Sequence, residues 1–283
     1  MMTLSFRVLK PKNLVTFQIK MSIYNLKEKS ALVTGASSGI GLGISKSLAK
    51  EGVNLLLISR NEENLSKVVR SLRSEFKIKI DFLPGDVNDS ETLRKAKSIM
   101  SSEFGGCDIL VNNAGGPPMG SFLDFSNTDW DKAFRQNFLS TISFSKEFYP
   151  EMKKKKWGRI INISSTAGVF GFPLRSPYAV SKAATISFTK TAAMELGKYN
   201  IRVNAILPGV TRGLRMKRVI EAKAKYLGVS KKKIEKDFIS MASMNCWIEE
   251  SDIGKLCSFL ISDDGKKISG QSIAVDGNTL RAD

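Results

Sequence analysis

The chain has 283 residues, 44 of them lysine or arginine and 27 aspartate or glutamate, for a formal charge of +17 without any histidine. Three scattered cysteines, Cys107, Cys246 and Cys257, make neither a disulfide framework nor a metal-ligand cluster, so no metal is expected and a reducing, cytoplasmic setting is the simplest. The longest uncharged runs are broken by Gly, Pro, Asn and Ser, so no membrane span is expected either.

The first 22 residues carry Arg7, Lys10, Lys12 and Lys20 with no acid, yet lack the amphipathic pattern and serine richness of a transit peptide. They read as a mis-assigned start or a dispensable extension before one domain over 23–283. Runs at 31–34, 54–59, 79–83, 108–112, 159–163, 202–207 and 272–275 read as strands, and helical segments separate them. That alternation predicts right-handed crossovers and a single α/β, doubly wound domain with a seven-stranded parallel sheet. A sheet of that size absorbs the whole chain as one unit.

Gly35, Gly39 and Gly41 follow the first strand and precede a helical segment with Ile40, Ile44 and Leu48. Strand, glycine turn and helix in that order make a dinucleotide-binding unit, in which backbone N–H groups at the positive helix end receive a pyrophosphate. The spacing here is G-x-x-x-G-x-G, and alone such a turn could merely cap a helix. The second strand ends in Ser59, followed by Arg60 and Asn61. No acid stands there to grip a ribose 2′-hydroxyl, and the Arg60 fork can pair with a 2′-phosphate, so NADP(H) is expected in preference to NAD(H). Glu62 and Glu63 read as first-turn residues of the next helix.

Asn137 lies in Trp130-Asp-Lys-Ala-Phe-Arg-Gln-Asn-Phe138, where Trp130, Phe134 and Phe138 are expected to mark the buried face of a helix. A structural asparagine at a helix irregularity is the alternative reading. Ser165 follows the strand Arg159–Ile163 and should emerge at its C-terminal end, where open parallel sheets place ligands. Tyr178 and Lys182, four residues apart, share a helix face. A phenol beside an ammonium, with a hydroxyl opposite, can give a proton to a carbonyl without an imidazole. Tyr and Lys at this spacing often occur by chance; the glycine turn changes the odds.

Together the Thr34–Gly41 run, Asp86-Val87, Asn112-Asn-Ala-Gly115, Asn137, Ser165, Tyr178, Lys182 and Pro208-Gly209 resemble the short-chain dehydrogenase/reductase family over about residues 25–279. The resemblance implies a Rossmann domain that usually assembles as a homotetramer. It implies that Tyr178 is the general acid or base, that Ser165 hydrogen-bonds the substrate oxygen, that Lys182 favours the phenolate and binds the nicotinamide ribose, and that Asn137 holds a relay water. The cofactor would meet Gly35, Ser37, Ser38, Gly39, Ile40 and Gly41 at the turn and Ser59, Arg60 and Asn61 after the second strand. It would continue over Asp86 and Val87, over Asn113, Ala114 and Gly115, over Tyr178 and Lys182, and over Pro208, Gly209, Val210 and Thr211. Two departures stand out: Ser38 lacks the basic side chain of many NADP-using relatives, and Gly213 replaces a frequent threonine, for which Thr211 can substitute.

The family also carries a helical substrate lid, here about 210–245, whose Arg212, Arg215, Lys217 and Arg218 could face an anionic substrate or the cofactor phosphates. The substrate is expected to be a carbonyl compound carrying negative charge. A 3-oxoacyl thioester on acyl carrier protein draws on Lys153–Lys156, shortly before the strand that leads to Ser165; a sugar or sugar acid held by the lid is the alternative. Gly115–Met119 and Phe170–Leu174 suggest a partly apolar pocket. Two other classes were weighed. A non-catalytic cofactor sensor has no need of the intact proton-transfer set. A nucleic-acid scaffold would need a recognised fold or interleaved stacking aromatics, and a charge run is usually a solvated face.

Overall fold

Runs of four to eight residues dominated by Ile, Leu and Val have stiff or bulky side chains that favour extended backbone and need cover on both faces. In the computed structural model, which describes residues 23–279 apart from Asn25 and Pro117, they become seven parallel strands; the extension read over 1–22 lies outside the described residues. The strands are β1 (Ser30–Thr34), β2 (Asn54–Ser59), β3 (Ile80–Pro84), β4 (Ile109–Asn112), β5 (Gly158–Ile163), β6 (Ile201–Pro208) and β7 (Ser272–Val275). Each boundary falls within one residue of its expected place. The sheet order is β3-β2-β1-β4-β5-β6-β7. The chain reverses its direction of travel between β1 and β4, which opens a crevice at their C-terminal ends.

Alternate residues of each strand supply the two halves of the core. On one face Val33, Leu55, Leu57 and Val111 pack with Ile44 and Leu48 of α1 (Gly39–Lys50), Val69 of α2 (Glu62–Glu75) and Ile253 of α9 (Glu250–Ile261). On the other, Leu32, Leu56, Leu110 and Val203 pack with Met100 of α3 (Ser90–Phe104), Phe144 and Phe148 of α5 (Ser140–Lys155), and Ala192 of α6 (Ser176–Leu196). A short helix α4 (Asn127–Phe134) precedes α5. No helix among the described residues is long and apolar enough to cross a membrane.

A third, smaller cluster stands apart from the sheet. Helices α7 (Leu214–Leu227) and α8 (Lys231–Ser240) bury Val219, Ile220, Ala224, Ile234 and Phe238 against one another, with Phe172 reaching in from the loop after β5. The Phe172 and Phe238 rings stack at 6.4 Å with 17° between planes. The lysine-rich surfaces of both helices face outward, as their amphipathic spacing requires.

Candidate active site

The crevice at the switch point holds a cleft of about 750 Å³. Its floor is the turn after β1. Gly41 lies directly beneath that turn, where any Cβ would run into the carbonyl of Gly35, so only glycine lets α1 start this close to the strand. Ser38 is the extended N-cap of α1 and makes no side-chain cap bond. Asn113 ties the end of β4 to the turn, its Nδ2 donating to the carbonyls of Thr34 (2.9 Å) and Gly35 (3.1 Å). Backbone N–H groups at this helix start are therefore held ready for an anion.

Ser59, Arg60, Asn61 and Asp86 lie together at the far end of the cleft. Ser37 Oγ lies 2.7 Å from Ser59 Oγ, and Arg60 Nη1 lies 3.7 Å from Asp86 Oδ2 with both side chains largely exposed. Asn61 lines the cleft and is also the N-cap of α2, accepting from the Asn64 N–H at 2.7 Å. Glu62 and Glu63 occupy the first turn of α2. Val87, Ala114 and Gly115 form the opposite wall.

A smaller pocket of about 140 Å³ shares Gly35, Ser38, Arg175, Leu214, Arg215 and Val219 with this cleft. Ser165, Tyr178 and Lys182 converge on it, with Gly39, Ile40, Asn113, Pro208, Gly209 and Thr211 around them. Ser165 follows β5 and caps a short turn, its Oγ accepting from the Ala167 N–H at 3.2 Å. Lys182 Nζ donates to the Ile163 carbonyl at 2.7 Å and stands 5.8 Å from the Tyr178 ring centroid. Burial, reinforced by the charge of Arg215, pushes the Lys182 ammonium down to about 7. A phenol, a hydroxyl and an ammonium that exchanges its proton near neutrality thus meet at one point, the equipment for moving a proton to or from an oxygen.

One expectation needs correction, and three other predicted groups take places that the sequence did not specify. Trp130, Phe134 and Phe138 are only half-buried, the two phenylalanine rings meeting edge to face; the buried face is Ala133, Asn137 and Ser140, and a π turn over Arg135–Leu139 joins α4 to α5. Asn137 sits in that turn, reaches neither pocket directly, and spends its amide on backbone: Nδ2 donates to Ala133 (2.9 Å) and Gly116 (3.1 Å), and Oδ1 accepts from the Gly116 N–H (3.0 Å). Val210 points its side chain into the α7–α8 cluster with Trp247, leaving only its backbone toward the site. Lys153–Lys156 close α5 at the start of β5, the opposite rim from Ser165 and about 17–20 Å away along a six-residue strand. There Lys155 pairs with Asp108 at 2.8 Å and Lys153 lies 4.7 Å from the Tyr199 ring.

The sequence reading missed Arg175. It precedes Tyr178 by three residues, is 8% exposed, and lines both pockets. The i, i+3 spacing was the available signal. Arg215 was expected near the site, and its Nη2 donates to the Gly115 carbonyl at 2.6 Å.

The fold and this site define an oxidoreductase of hydroxyl and carbonyl groups that works with a nicotinamide coenzyme. Residues 29–225 match the family model described as short chain dehydrogenase. A D-beta-hydroxybutyrate dehydrogenase of Cupriavidus necator is 31% identical over 253 residues, 89% of this chain and 98% of that protein. The L-sorbose reductase of Gluconobacter frateurii, solved with NADPH and L-sorbose, superposes with a TM-score of 0.86 at 30% identity over 92% of this chain and 99% of that one. An actinorhodin polyketide ketoreductase solved with NADPH gives 0.85 at 29% identity, over 88% and 96%. The chain belongs to the short-chain dehydrogenase family and acts on CH–OH groups.

Proposed function

We propose that the protein is an NADP(H)-dependent reductase of a small ketone or aldehyde, reversible as an alcohol dehydrogenase. The observation that carries this reading is the convergence of Ser165, Tyr178 and Lys182 on a pocket sharing walls with the nucleotide-sized cleft. The cleft fits the coenzyme: it begins at a glycine turn whose lining side chains are the small Ser37 and Ser38, ends at Ser59 and Arg60 without an acid at the end of β2, and the two structural relatives described above were solved with NADPH. Bound there, the coenzyme supplies the hydride. The Arg60–Asp86 pair is exposed and worth about 0–1 kcal/mol, so Arg60 exchanges that partner for a 2′-phosphate at little cost.

In the reductive direction Ser165 Oγ, which already accepts from Ala167, turns its proton toward the substrate oxygen, and Tyr178 donates the proton that converts the developing alkoxide to an alcohol. Lys182, anchored on the Ile163 carbonyl, places positive charge beside that phenol. Asn137 fixes the Gly116 backbone that walls the site. Tyr178→Phe should lower kcat by about 10²–10⁴-fold in a nicotinamide absorbance assay with a ketone panel, while NADPH binding persists. Wild-type rates in that variant would remove Tyr178 as the proton donor, and a wild-type protein inert toward every carbonyl would end this reading and favour a cofactor sensor.

For the substrate, the position of Lys153–Lys156 on the far rim removes the main support for docking an acyl carrier, and a small soluble carbonyl compound fits the site better. The Cupriavidus relative is named for a hydroxy acid and the Gluconobacter one for a sugar. A carrier-linked 3-oxoacyl thioester stays as the second reading because of the likeness to the polyketide ketoreductase. Turnover of acetoacetyl-carrier, acetoacetyl-CoA and free keto acids at two ionic strengths separates them, since docking to a charged carrier weakens steeply with salt.

A further inference from the structure

Arg175 is a buried guanidinium without a counter-ion. It is 8% exposed, its Nε has no hydrogen-bond partner, and no carboxylate among the described residues pairs with it. What surrounds it is aromatic: its Cζ lies 5.4 Å from the Phe172 ring centroid and 5.4 Å from that of Tyr178. Other cations stand close enough to matter. The charge of Arg215 adds to burial in disfavouring the ionised forms of both Arg175 and Lys182. Arg175, Arg215 and Lys182 therefore all line the smaller pocket, and no carboxylate among the described residues pairs with any of them.

Such an arrangement is costly in the free protein. Burying a charge without a partner is tolerated only where something else supplies the opposite charge. A guanidinium is planar and presents its free donors as a fork matched to the two oxygens of a carboxylate. Its place points to the substrate: Arg175 lies 5.4 Å from the ring centroids of both Tyr178 and Phe172, the latter stacking on Phe238 of α8. It thus stands beside the phenol that gives the proton, where the smaller pocket meets the cleft.

We propose that Arg175, with Arg215 across the junction, recognises a carboxylate on the carbonyl substrate, so that the substrate class is small oxo acids and the matching hydroxy acids. The inference rests on the reductase reading above and names the charge that its substrate carries. Arg175 acts here as a specificity residue beside Tyr178, setting which carbonyl compounds reach the phenol in register.

The test compares kcat/KM for a keto acid and its uncharged methyl ester, using the protein with NADPH. Wild type should prefer the acid, and in Arg175→Met the acid-to-ester ratio should fall about 10- to 100-fold, the range expected for a charge-assisted hydrogen bond. Arg175→Lys, which keeps the charge and loses the fork, should give an intermediate ratio. An unchanged ratio in Arg175→Met overturns the proposal, and so does a tenfold rise in the NADPH dissociation constant with the ratio intact, because the anion would then be a cofactor phosphate. Should Arg175→Met fail to fold, wild type alone decides. Butyrate should compete with a neutral ketone at least about tenfold better than butyramide does, and equal inhibition by the two overturns the proposal. Turnover of ketones with no preference for the acid sinks this inference only, whereas no turnover of any carbonyl compound with either nicotinamide sinks the reductase reading beneath it.

Discussion

Lys182 is fastened to the end of β5 by its 2.7 Å bond to the Ile163 carbonyl, and its ammonium lies 5.8 Å from the Tyr178 ring. One helix residue is thereby tied to the strand that leads into Ser165. The bond keeps the amine beside the phenol even though burial works against its charge.

A pH dependence follows from that burial. The Lys182 ammonium is pushed from 10.5 down to about 7. Between those values the unfolded chain holds a proton that the folded one has released, so this group's contribution to stability rises with pH across the window. The stability difference between wild type and Lys182→Met, from urea melts, should therefore shift in favour of wild type between pH 7 and 10. An anion beside the amine favours its charged form, so NADPH binding at pH 8 should take up as much as about one proton per site and almost none at pH 5.5. Calorimetry in buffers of different ionisation enthalpy reads this directly; zero uptake at pH 8 would refute it.

Gly115 offers a sharper geometric test. A methyl group there would sit 2.6 Å from Asn137 Oδ1 and 3.6 Å from Lys182 Nζ. The Asn137 amide cannot retreat, since both its ends are bonded to backbone. Gly115→Ala should cost about 1–3 kcal/mol of stability by overpacking and lower kcat more than tenfold by displacing the wall of the site. Wild-type kcat with a normal melt would show that this wall is soft.

Arg60 decides the coenzyme. It is mostly exposed and pairs with Asp86 at 3.7 Å. Arg60→Ala should raise KM for NADPH about tenfold or more and leave KM for NADH nearly unchanged, in line with the loss of one charge-assisted contact to phosphate. Equal losses for both coenzymes would place the discrimination elsewhere.

Much of this was legible because it is local. Ile, Leu and Val runs set the strands, and the glycine turn, Tyr178 and Lys182 sit at fixed offsets within single elements. What escaped depends on three dimensions. Trp130, Phe134 and Phe138 keep helical spacing, yet the stripe that packs inward is the one of smaller side chains beside it, Ala133, Asn137 and Ser140. Lys153–Lys156 stand close to Ser165 in sequence, but an intervening strand puts them at opposite ends of the sheet. Arg175 is one more cation among 44 until the structure shows it buried near Tyr178 with its Nε unbonded and no carboxylate among the described residues paired with it.

The α7–α8 pair should behave as a unit of its own. Its core, centred on Phe238 at 1% exposure, shares only Phe172, Val210 and Trp247 with neighbouring segments and lies outside both sheet-facing clusters. Phe238→Ala removes the ring that stacks on Phe172 and should cost about 3–5 kcal/mol where the helices pack. The loss is local, so amide exchange should accelerate over 214–240 while the sheet amides keep their protection. Phe172 also braces Arg175, so KM for the carbonyl substrate should rise severalfold and the NADPH dissociation constant should change much less. Exchange that accelerates uniformly across the sheet and the helix pair would instead show that α7 and α8 fold as one cooperative body with the Rossmann core.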